Sequence, residues 1–408
     1  MGVALPVLYA LGFARPGFGY SVIMHQAIID AEWEDQISPF LLRRFPQATP
    51  DELREAKSYA YGGSVIQDLG YYPFGSHFFS HLTHYVRSGD FVQALFEESR
   101  DIDDYAFALG ALSHYSADIE GHSLGVNRAV PLLYPKLAGR YGHTMTWEDS
   151  PYAHLLTEFG FDTVEVVAGH VAPQKYHEWI GFRVREPLLQ RAFRGTYGLE
   201  LPHQTLGIRL SLDVYRECAG KIIPQMSMVA WALKRKSLEE RASGVHHKSL
   251  FHLRRQSLDQ VWEKTRAKPG PGDEMTAFVF RILPKVGPLQ VFQFHVPTDE
   301  AEQLFANSLK ATIADYDVKI ADARLDPPDI NLDTGRPTRP GEYRYCDRTF
   351  AQLLHRLAKA HFDTMTPALR DDLLRFYGDS THDTVRRKPR QWRRVLREIN
   401  ELKGANAD

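Results

Sequence analysis

The run His114-Tyr-Ser-Ala-Asp118-Ile-Glu-Gly-His122 sets two imidazoles and a carboxylate four residues apart. On a helix, residues at that interval share one face and drift by about 40° per step. Their Cβ atoms stand roughly 6 Å apart, a gap that an ion bound at ~2.0–2.1 Å from each ligand atom can bridge. The preceding residues, Tyr105-Ala-Phe-Ala-Leu-Gly-Ala-Leu-Ser, are mostly apolar, so Asp118 lies where an unpaired carboxylate is costly. A lone histidine in such a segment is commonly a satisfied core or surface side chain. Two histidines in register with an aspartate point instead to a zinc site with more than one ion. Gly121 is expected to fray the helix and turn His122 toward a different ion from the one His114 faces.

Tyr152-Ala-His154-Leu-Leu-Thr-Glu158 repeats the interval with one imidazole and one carboxylate. It is a two-ligand clamp on a single turn, a pattern that alone also arises by chance. Asp68 closes the apolar run Gly62-Gly-Ser-Val-Ile-Gln-Asp68 just before Leu-Gly-Tyr-Tyr-Pro73, a place that also suits a plain turn aspartate. Further imidazoles stand in Ser80-His81-Leu-Thr-His84 and in Tyr20-Ser-Val-Ile-Met-His25. There are eighteen histidines, and only two cysteines, Cys218 and Cys346, far apart. A transition metal here is therefore held by imidazole and carboxylate, and a thiolate finger or a disulfide framework is excluded.

Positioning these groups falls to helices. Thr49-Pro50-Asp51-Glu52 is a capping box with proline at the first helical position; it opens a helix through about Tyr61, which Gly62 and Gly63 are expected to break. Asp103 or Asp104 is expected to cap the helix that carries His114. Leu206, Leu210, Val214, Cys218, Ile222, Met226, Val229 and Leu233 recur at three- and four-residue spacing and predict a long helix containing Pro224. No sustained strand alternation appears from residue 20 to about 235, so the fold class is all-α. Lys268-Pro-Gly-Pro-Gly-Asp273 reads as a turn or linker, and Leu325 to Tyr343 as irregular. Helical patterns follow at about 298–322, 347–376 and 382–403, while Phe278 to Phe294 has the composition of a short strand pair.

The chain of 408 residues, 43% of them hydrophobic, is long enough for one large domain with an appendage. Forty-nine basic residues face 51 acidic ones, so bulk charge gives no support to a general nucleic-acid binder. No stretch of ~18 apolar residues occurs to form a transmembrane helix. Residues 2–13, GVALPVLYALGF, followed by Ala14 to Gly17, resemble the hydrophobic part of a secretory signal without its basic start; the alternative is a buried first helix. The organisation read from these features is a signal segment over 1–19, a catalytic domain over 20–238 and an accessory, mostly helical region over 239–408.

Taken together, the order and spacing of the candidate ligands resemble the zinc-dependent phospholipase C superfamily, whose relatives include single-strand-specific nucleases and the catalytic domain of glycosylphosphatidylinositol phospholipase D. Tyr20 and His25, Asp68, His84, His114-x-x-x-Asp118, His122 and His154-x-x-x-Glu158 fill that pattern in order over about residues 20–190. His84 fits its spacing from Asp68 better than His77 or His81. Carried over, the resemblance implies that Asp68, His84, His114 and Asp118 hold one zinc and that His122, His154 and Glu158 hold a second, more exposed one. His25 and Asp118 would hold a third, with the free amine and carbonyl of Tyr20. That last position requires cleavage after Gly19. Gly17 and Gly19 suit such a cut, but Gly12 and Ala14 suit an earlier one that would leave Tyr20 internal and the third position weak or empty. Two departures stand out: most relatives begin with tryptophan rather than tyrosine, and the three residues between Asp118 and His122 match the phospholipase D branch rather than the five of bacterial phospholipases C and the nucleases.

The resemblance implies a secreted or periplasmic zinc hydrolase with two or three ions. It would cleave phosphodiesters, most readily phospholipid head groups, with Asp68 as base or orienter of the attacking water. Tyr71, Tyr72, Phe74, Phe78 and Phe79 either line the mouth of the site or belong to the core. Lys234-Arg235-Lys236 and the basic tail from Arg386 to Arg397 read as solvated helix faces or as contacts to an anionic membrane surface. No obligate protein partner is expected. The competing readings are a single-strand nuclease or nucleotidase on the same metals, for which nucleic acid is the partner, and a non-catalytic zinc-binding surface protein.

Overall fold

Thr49 caps its helix as the sequence predicts: its hydroxyl accepts from the Glu52 amide at 3.2 Å, and the Glu52 carboxylate accepts from the Thr49 amide at 2.7 Å. In the computed structural model, residues 22–201, 207–244, 269–282, 287–322, 325–378 and 389–404 are described. Tyr20 and the segment 1–19 lie outside them. Regular structure among the described residues is helical apart from one two-stranded hairpin, β1 (Ile330–Asn331) and β2 (Arg336–Pro337). No helix among them is long and apolar enough to cross a membrane.

Six helices position the candidate ligands: α1 (Val22–Glu32), α2 (Pro50–Gly63), α3 (His77–Tyr85), α4 (Ile102–Glu120), α5 (Pro151–Ala168) and α6 (Asp299–Ala321). The central one is α4. Apolar on all sides, it is buried at every residue from Asp104 to Ile119, as a helix without a polar face must be. Its cap is Asp101, whose carboxylate accepts from the Asp104 amide at 2.9 Å, not Asp103 or Asp104 as the sequence suggested.

Gly62 and Gly63 do not break α2, which runs through Gly63. They let backbones touch. A Cβ on Gly63 would lie 2.0 Å from the Phe107 carbonyl oxygen, and one on Gly62 would lie 1.6 Å from that of Arg183. Across the interface, a Cβ on Gly110 would meet the Ala60 oxygen at 2.1 Å. These contacts are backbone and cannot rotate away. Gly110→Ala is therefore expected to lower the unfolding free energy by about 1–3 kcal/mol, the usual cost of overpacking, read as a shift in the urea midpoint; an unchanged midpoint would show that the helices part without cost.

Gly121 likewise does not end its helix. It has helical angles (φ −62°, ψ −46°), and α4 passes through a π-helical turn, Gly121–Val126, into the helix Asn127–Leu133. The wider turn re-aims His122 without interrupting the backbone, and such π insertions are frequent at functional sites.

Elsewhere the expected long helix is Ile208–Glu217 and Ile223–Leu233 joined by a π turn, with Pro224 in the first turn of the second and Leu210 half exposed. Leu206 lies outside the described residues. Pro271 begins a helix, Pro271–Ile282, where a turn was expected. The described part of 278–294 is helix and a 3-10 segment, Gly287–Gln293, instead of paired strands. The 347–376 pattern is two helices, Arg344–Lys359 and Pro367–Gly378.

Described parts of the chain beyond residue 240 pack directly on the helices that carry the candidate ligands. Helix α6 lies along α4 and the π turn; Tyr316 donates to the Leu109 carbonyl at 3.1 Å, and Phe305 stacks on Phe161 with centroids 4.6 Å apart. The irregular 325–343 stretch is pinned the same way. The Leu332 amide donates to the His84 carbonyl at 3.0 Å, and Tyr115 donates to the Pro328 carbonyl at 2.5 Å.

Candidate metal centre

Eight of the nine candidate ligands fall among the described residues, and the fold brings all eight to one buried locus. His25 comes from α1, Asp68 from a 3-10 turn (Ile66–Tyr71), His84 from the last turn of α3 and His114 with Asp118 from α4. His122 comes from the π turn, and His154 with Glu158 from the first turns of α5. Each is exposed by 3% or less. The pieces are tied to one another: Gln67 donates to the Ala111 carbonyl at 2.9 Å, Ser80 Oγ accepts from the Gly70 amide at 2.9 Å, and the Ile23 amide donates to Asp162 at 3.2 Å. Asp68 is thereby fixed against α3 and α4, and His25 against α5.

The distances inside the cluster are those of ligand atoms around an ion. Two atoms ~2.0–2.1 Å from one tetrahedral ion stand about 3.3 Å apart. His84 Nε2 lies 3.3 Å from Asp68 Oδ1, 3.2 Å from Asp118 Oδ2 and 3.4 Å from His114 Nε2, and His114 Nε2 lies 3.2 Å from Asp118 Oδ2. The other Asp118 oxygen is 3.6 Å from His25 Nε2, and the His25 ring stacks on that of His114 at 4.4 Å. Two overlapping groups, Asp68–His84–His114 and His25–His114–Asp118, each keep their ligand atoms within 4.8 Å of one another. A third arrangement lies beside them: Glu158 Oε1 is 3.6 Å from His154 Nδ1 and 3.8 Å from His122 Nε2.

Protonation follows from the outward-facing nitrogens. His84 Nδ1 faces the Ser80 carbonyl at 2.7 Å and His114 Nδ1 faces that of Ser64 at 3.0 Å. A carbonyl only accepts, so those nitrogens carry the hydrogen and Nε2 presents a lone pair inward. His154 is reversed, with Nε2 on the Met145 carbonyl at 2.6 Å and Nδ1 inward. His122 Nδ1 lies 2.9 Å from Asp333 Oδ1. Meanwhile both oxygens of Asp68, Asp118 and Glu158, together with His122 Nε2 and His154 Nδ1, receive or make no hydrogen bond. Buried carboxylates do not stay so without a counter-charge. The residues present therefore fit a cluster of divalent cations held by nitrogen and oxygen.

The electrostatics agree. Burial disfavours a charged His84, but the nearby carboxylates of Asp118 and Asp68 outweigh it and carry the imidazole up to about 10. Burial likewise opposes ionisation of Asp118, yet His114 and His122 hold it well below the usual carboxylate range. Glu158 is pushed well above that range by burial and then by Asp118 and Asp68, and burial draws His154 down to about 4. The locus carries more negative potential than its imidazoles alone can neutralise, and protons compete there for the place of a cation.

Around the centre, the structure separates neighbours that spacing alone does not. His77, His81 and His84 share one face of α3, but only His84 reaches Asp68; His81 packs on Tyr345 and Tyr85. Of the five aromatics near Asp68, Tyr71 borders the site, 5.9 Å from the rings of both His84 and Trp147. Tyr72 packs on Tyr215 and Phe79 on Phe193 in the core. Trp147 sets its edge against His154 at 5.9 Å. His170 pairs with Glu165 and His177 with Asp30, away from the cluster. A cleft of about 910 Å³ near Val171, Met228 and Trp231 holds none of the eight residues, so cavity size does not locate the chemistry here.

One contributor was not read from the sequence. Asp333 touches His122 from 211 residues away, within a segment read as irregular. The only local signal is the turn pattern Asn331-Leu-Asp333-Thr-Gly335, which marks a hairpin and not a site.

Residues 24–202 match the model of the family described as zinc dependent phospholipase C. That span includes all eight clustered residues and excludes Asp333. No curated protein and no solved structure matches the chain.

Proposed function

We propose that this chain, a member of the zinc-dependent phospholipase C superfamily through residues 24–202, hydrolyses phosphodiesters by phospholipase C chemistry, with phospholipid head groups as the substrate class. The observation that carries the reading is the set of three buried carboxylates with no hydrogen bond to any oxygen, faced by imidazoles whose other nitrogens are already engaged. In this reading Asp68, His84, His114 and Asp118 hold one zinc, and His122, His154 and Glu158 hold a second. His25 and Asp118 serve a third, completed by Tyr20 if the mature chain starts there.

When bound, zinc brings the pKa of a water near neutrality and neutralises phosphoryl oxygens and the leaving alkoxide. The chain supplies the rest. Asp68, fixed by its turn and by α3, orients the attacking water and takes its proton. The carbonyls of Ser64, Ser80 and Met145 lock three imidazoles in the tautomer that presents a lone pair inward. Tyr71 and Trp147 form an apolar wall over His84 and His154, which strengthens electrostatic interactions inside. The secreted or periplasmic location belongs to the same proposal, and sequencing the amino terminus of the mature protein decides between cuts after Gly19 and after Ala14.

Metal analysis with hydrolysis assays tests the function. The purified protein is expected to carry two or three zinc ions and to release the phosphorylated head group from phosphatidylcholine vesicles. Chelation should abolish turnover, added zinc should restore it, and the melting temperature should fall on chelation; an ion at 1,000-fold its Kd contributes about 4 kcal/mol. Faster cleavage of single-stranded DNA than of lipid would favour the nuclease reading. Zinc without hydrolysis of lipid, DNA or a generic phosphodiester would leave a non-catalytic zinc protein.

A further inference from the structure

Asp333 lies on the hairpin turn between β1 and β2, beyond the family-matched segment, and is 1% exposed. All its polar atoms are engaged. Oδ1 faces His122 Nδ1 at 2.9 Å. Oδ2 accepts from the Trp147 amide at 2.9 Å and from the Tyr343 hydroxyl at 2.7 Å. Its own carbonyl accepts from Asn127 Nδ2 at 2.7 Å, and its amide donates to Asn331 Oδ1 at 3.0 Å. The carboxylate is thus held from several sides with one oxygen left to the imidazole.

That geometry has a chemical consequence. A carboxylate accepting the Nδ1 hydrogen fixes the tautomer of His122, sets its ring plane and makes Nε2 a more basic donor. The nitrogen so prepared is the one that faces Glu158 and forms no hydrogen bond. His84, His114 and His154 rest on neutral backbone carbonyls; His122 rests on a charge. The support is rigid, because Gly335 adopts φ +65° in the turn, the Leu332 amide bonds the His84 carbonyl, and Ser88 Oγ bonds both the carbonyl and the amide of Ile330.

We propose that Asp333 is a positioning residue for His122, so that the 325–343 hairpin completes the metal centre begun by the family-matched helices. The inference rests on the zinc reading above. It gives the region past residue 240 a task at the site: holding the imidazole of one ion from behind, through a contact the matched segment cannot make by itself.

Competition of the full-length protein against a chromophoric zinc chelator tests it, with apoprotein melting as a separate readout of folding. D333N is expected to weaken one ion per chain by about 10–100-fold and to leave the ions on Asp68, His84 and His114 unchanged. Y343F, which removes a donor to Oδ2 and keeps the His122 contact, should lower the melting temperature yet change zinc affinity by no more than a few-fold. In an H122A background D333N should add no further loss, since its effect passes through that ring. Zinc bound equally by D333N and wild type overturns the inference alone, as does equal loss in D333N and Y343F. A wild-type chain that takes up no zinc overturns the zinc reading, and this inference falls with it.

Discussion

Replacing Asp118 with alanine is expected to remove more than one zinc ion per chain and to end phosphodiester hydrolysis. The carboxylate lies between two groups of ligands: Oδ2 is 3.2 Å from both His84 and His114, and Oδ1 is 3.6 Å from His25. Among the described residues, no other carboxylate has contacts to both groups. Without it, an ion on Asp68, His84 and His114 would keep one carboxylate instead of two, and an ion beside His25 would keep no carboxylate from that group. A metal ion supplies several kcal/mol of transition-state stabilisation in such reactions, so the rate should fall by at least ~10³-fold. The fold should survive, since alanine suits the continuous helix through the end of α4 better than aspartate does. Metal content by mass spectrometry, compared with H122A, is the decisive measurement. H122A should lose one ion, on His154 and Glu158, whereas D118A should lose more. Equal losses would mean that Asp118 does not bridge.

Asp118 could be singled out from sequence for a local reason. His114, Asp118 and His122, like His154 and Glu158, lie on helices whose 3.6-residue period converts spacing into a shared face, and their apolar surroundings make a plain solvated helix untenable. The capping box at Thr49 was legible for the same reason. What stayed hidden depends on partners far away in sequence. Gly62 and Gly63 look like breakers in isolation and Gly110 like an indifferent helix residue, and only the Arg183, Phe107 and Ala60 carbonyls pressed against them explain why they are glycine. His77, His81 and His84 share a helix face, so the helical period does not choose among them; the spacing from Asp68 favours His84, and the contact that separates them comes from Asp68, held against α3 through Ser80. Gly121 hides a π turn, because a residue permitted in any conformation carries no sign of which one it adopts. Asp333 was the least legible, since a hairpin aspartate has no period and its imidazole belongs to another part of the chain.

A second large effect should come from a residue with no part in metal binding. Asp30→Asn is expected to cost about 3–5 kcal/mol, the usual penalty for leaving one member of a buried ion pair alone. Asp30 Oδ1 lies 2.7 Å from Lys57 Nζ and accepts from the Tyr61 hydroxyl at 2.5 Å, and Oδ2 lies 3.0 Å from His177 Nε2. Asp30 and Lys57 are each 3% exposed, so the ammonium would have no water to turn to. Burial alone would raise the Asp30 carboxyl, but Lys57 and His177 overcome it and bring the group down to about 2. A folded pKa below the unfolded value of about 3.9 contributes stability that is present above pH ~4 and lost as pH falls through ~2. The gap between wild type and D30N should accordingly be constant from pH ~5 to ~8 and narrow below pH ~4, read by urea denaturation of chelated protein so that acid release of metal does not intrude. A gap under ~1 kcal/mol at neutral pH, or one that does not narrow in acid, would remove this pair from the stability of the fold. The effect should also reach the centre. Asp30 and His25 share α1, and the ion pair to Lys57 staples that helix to α2, whose close packing on α4 brings the Ser64 carbonyl under His114. D30N should therefore bind zinc less tightly in proportion to its lost stability, whereas D118A should lose zinc without unfolding.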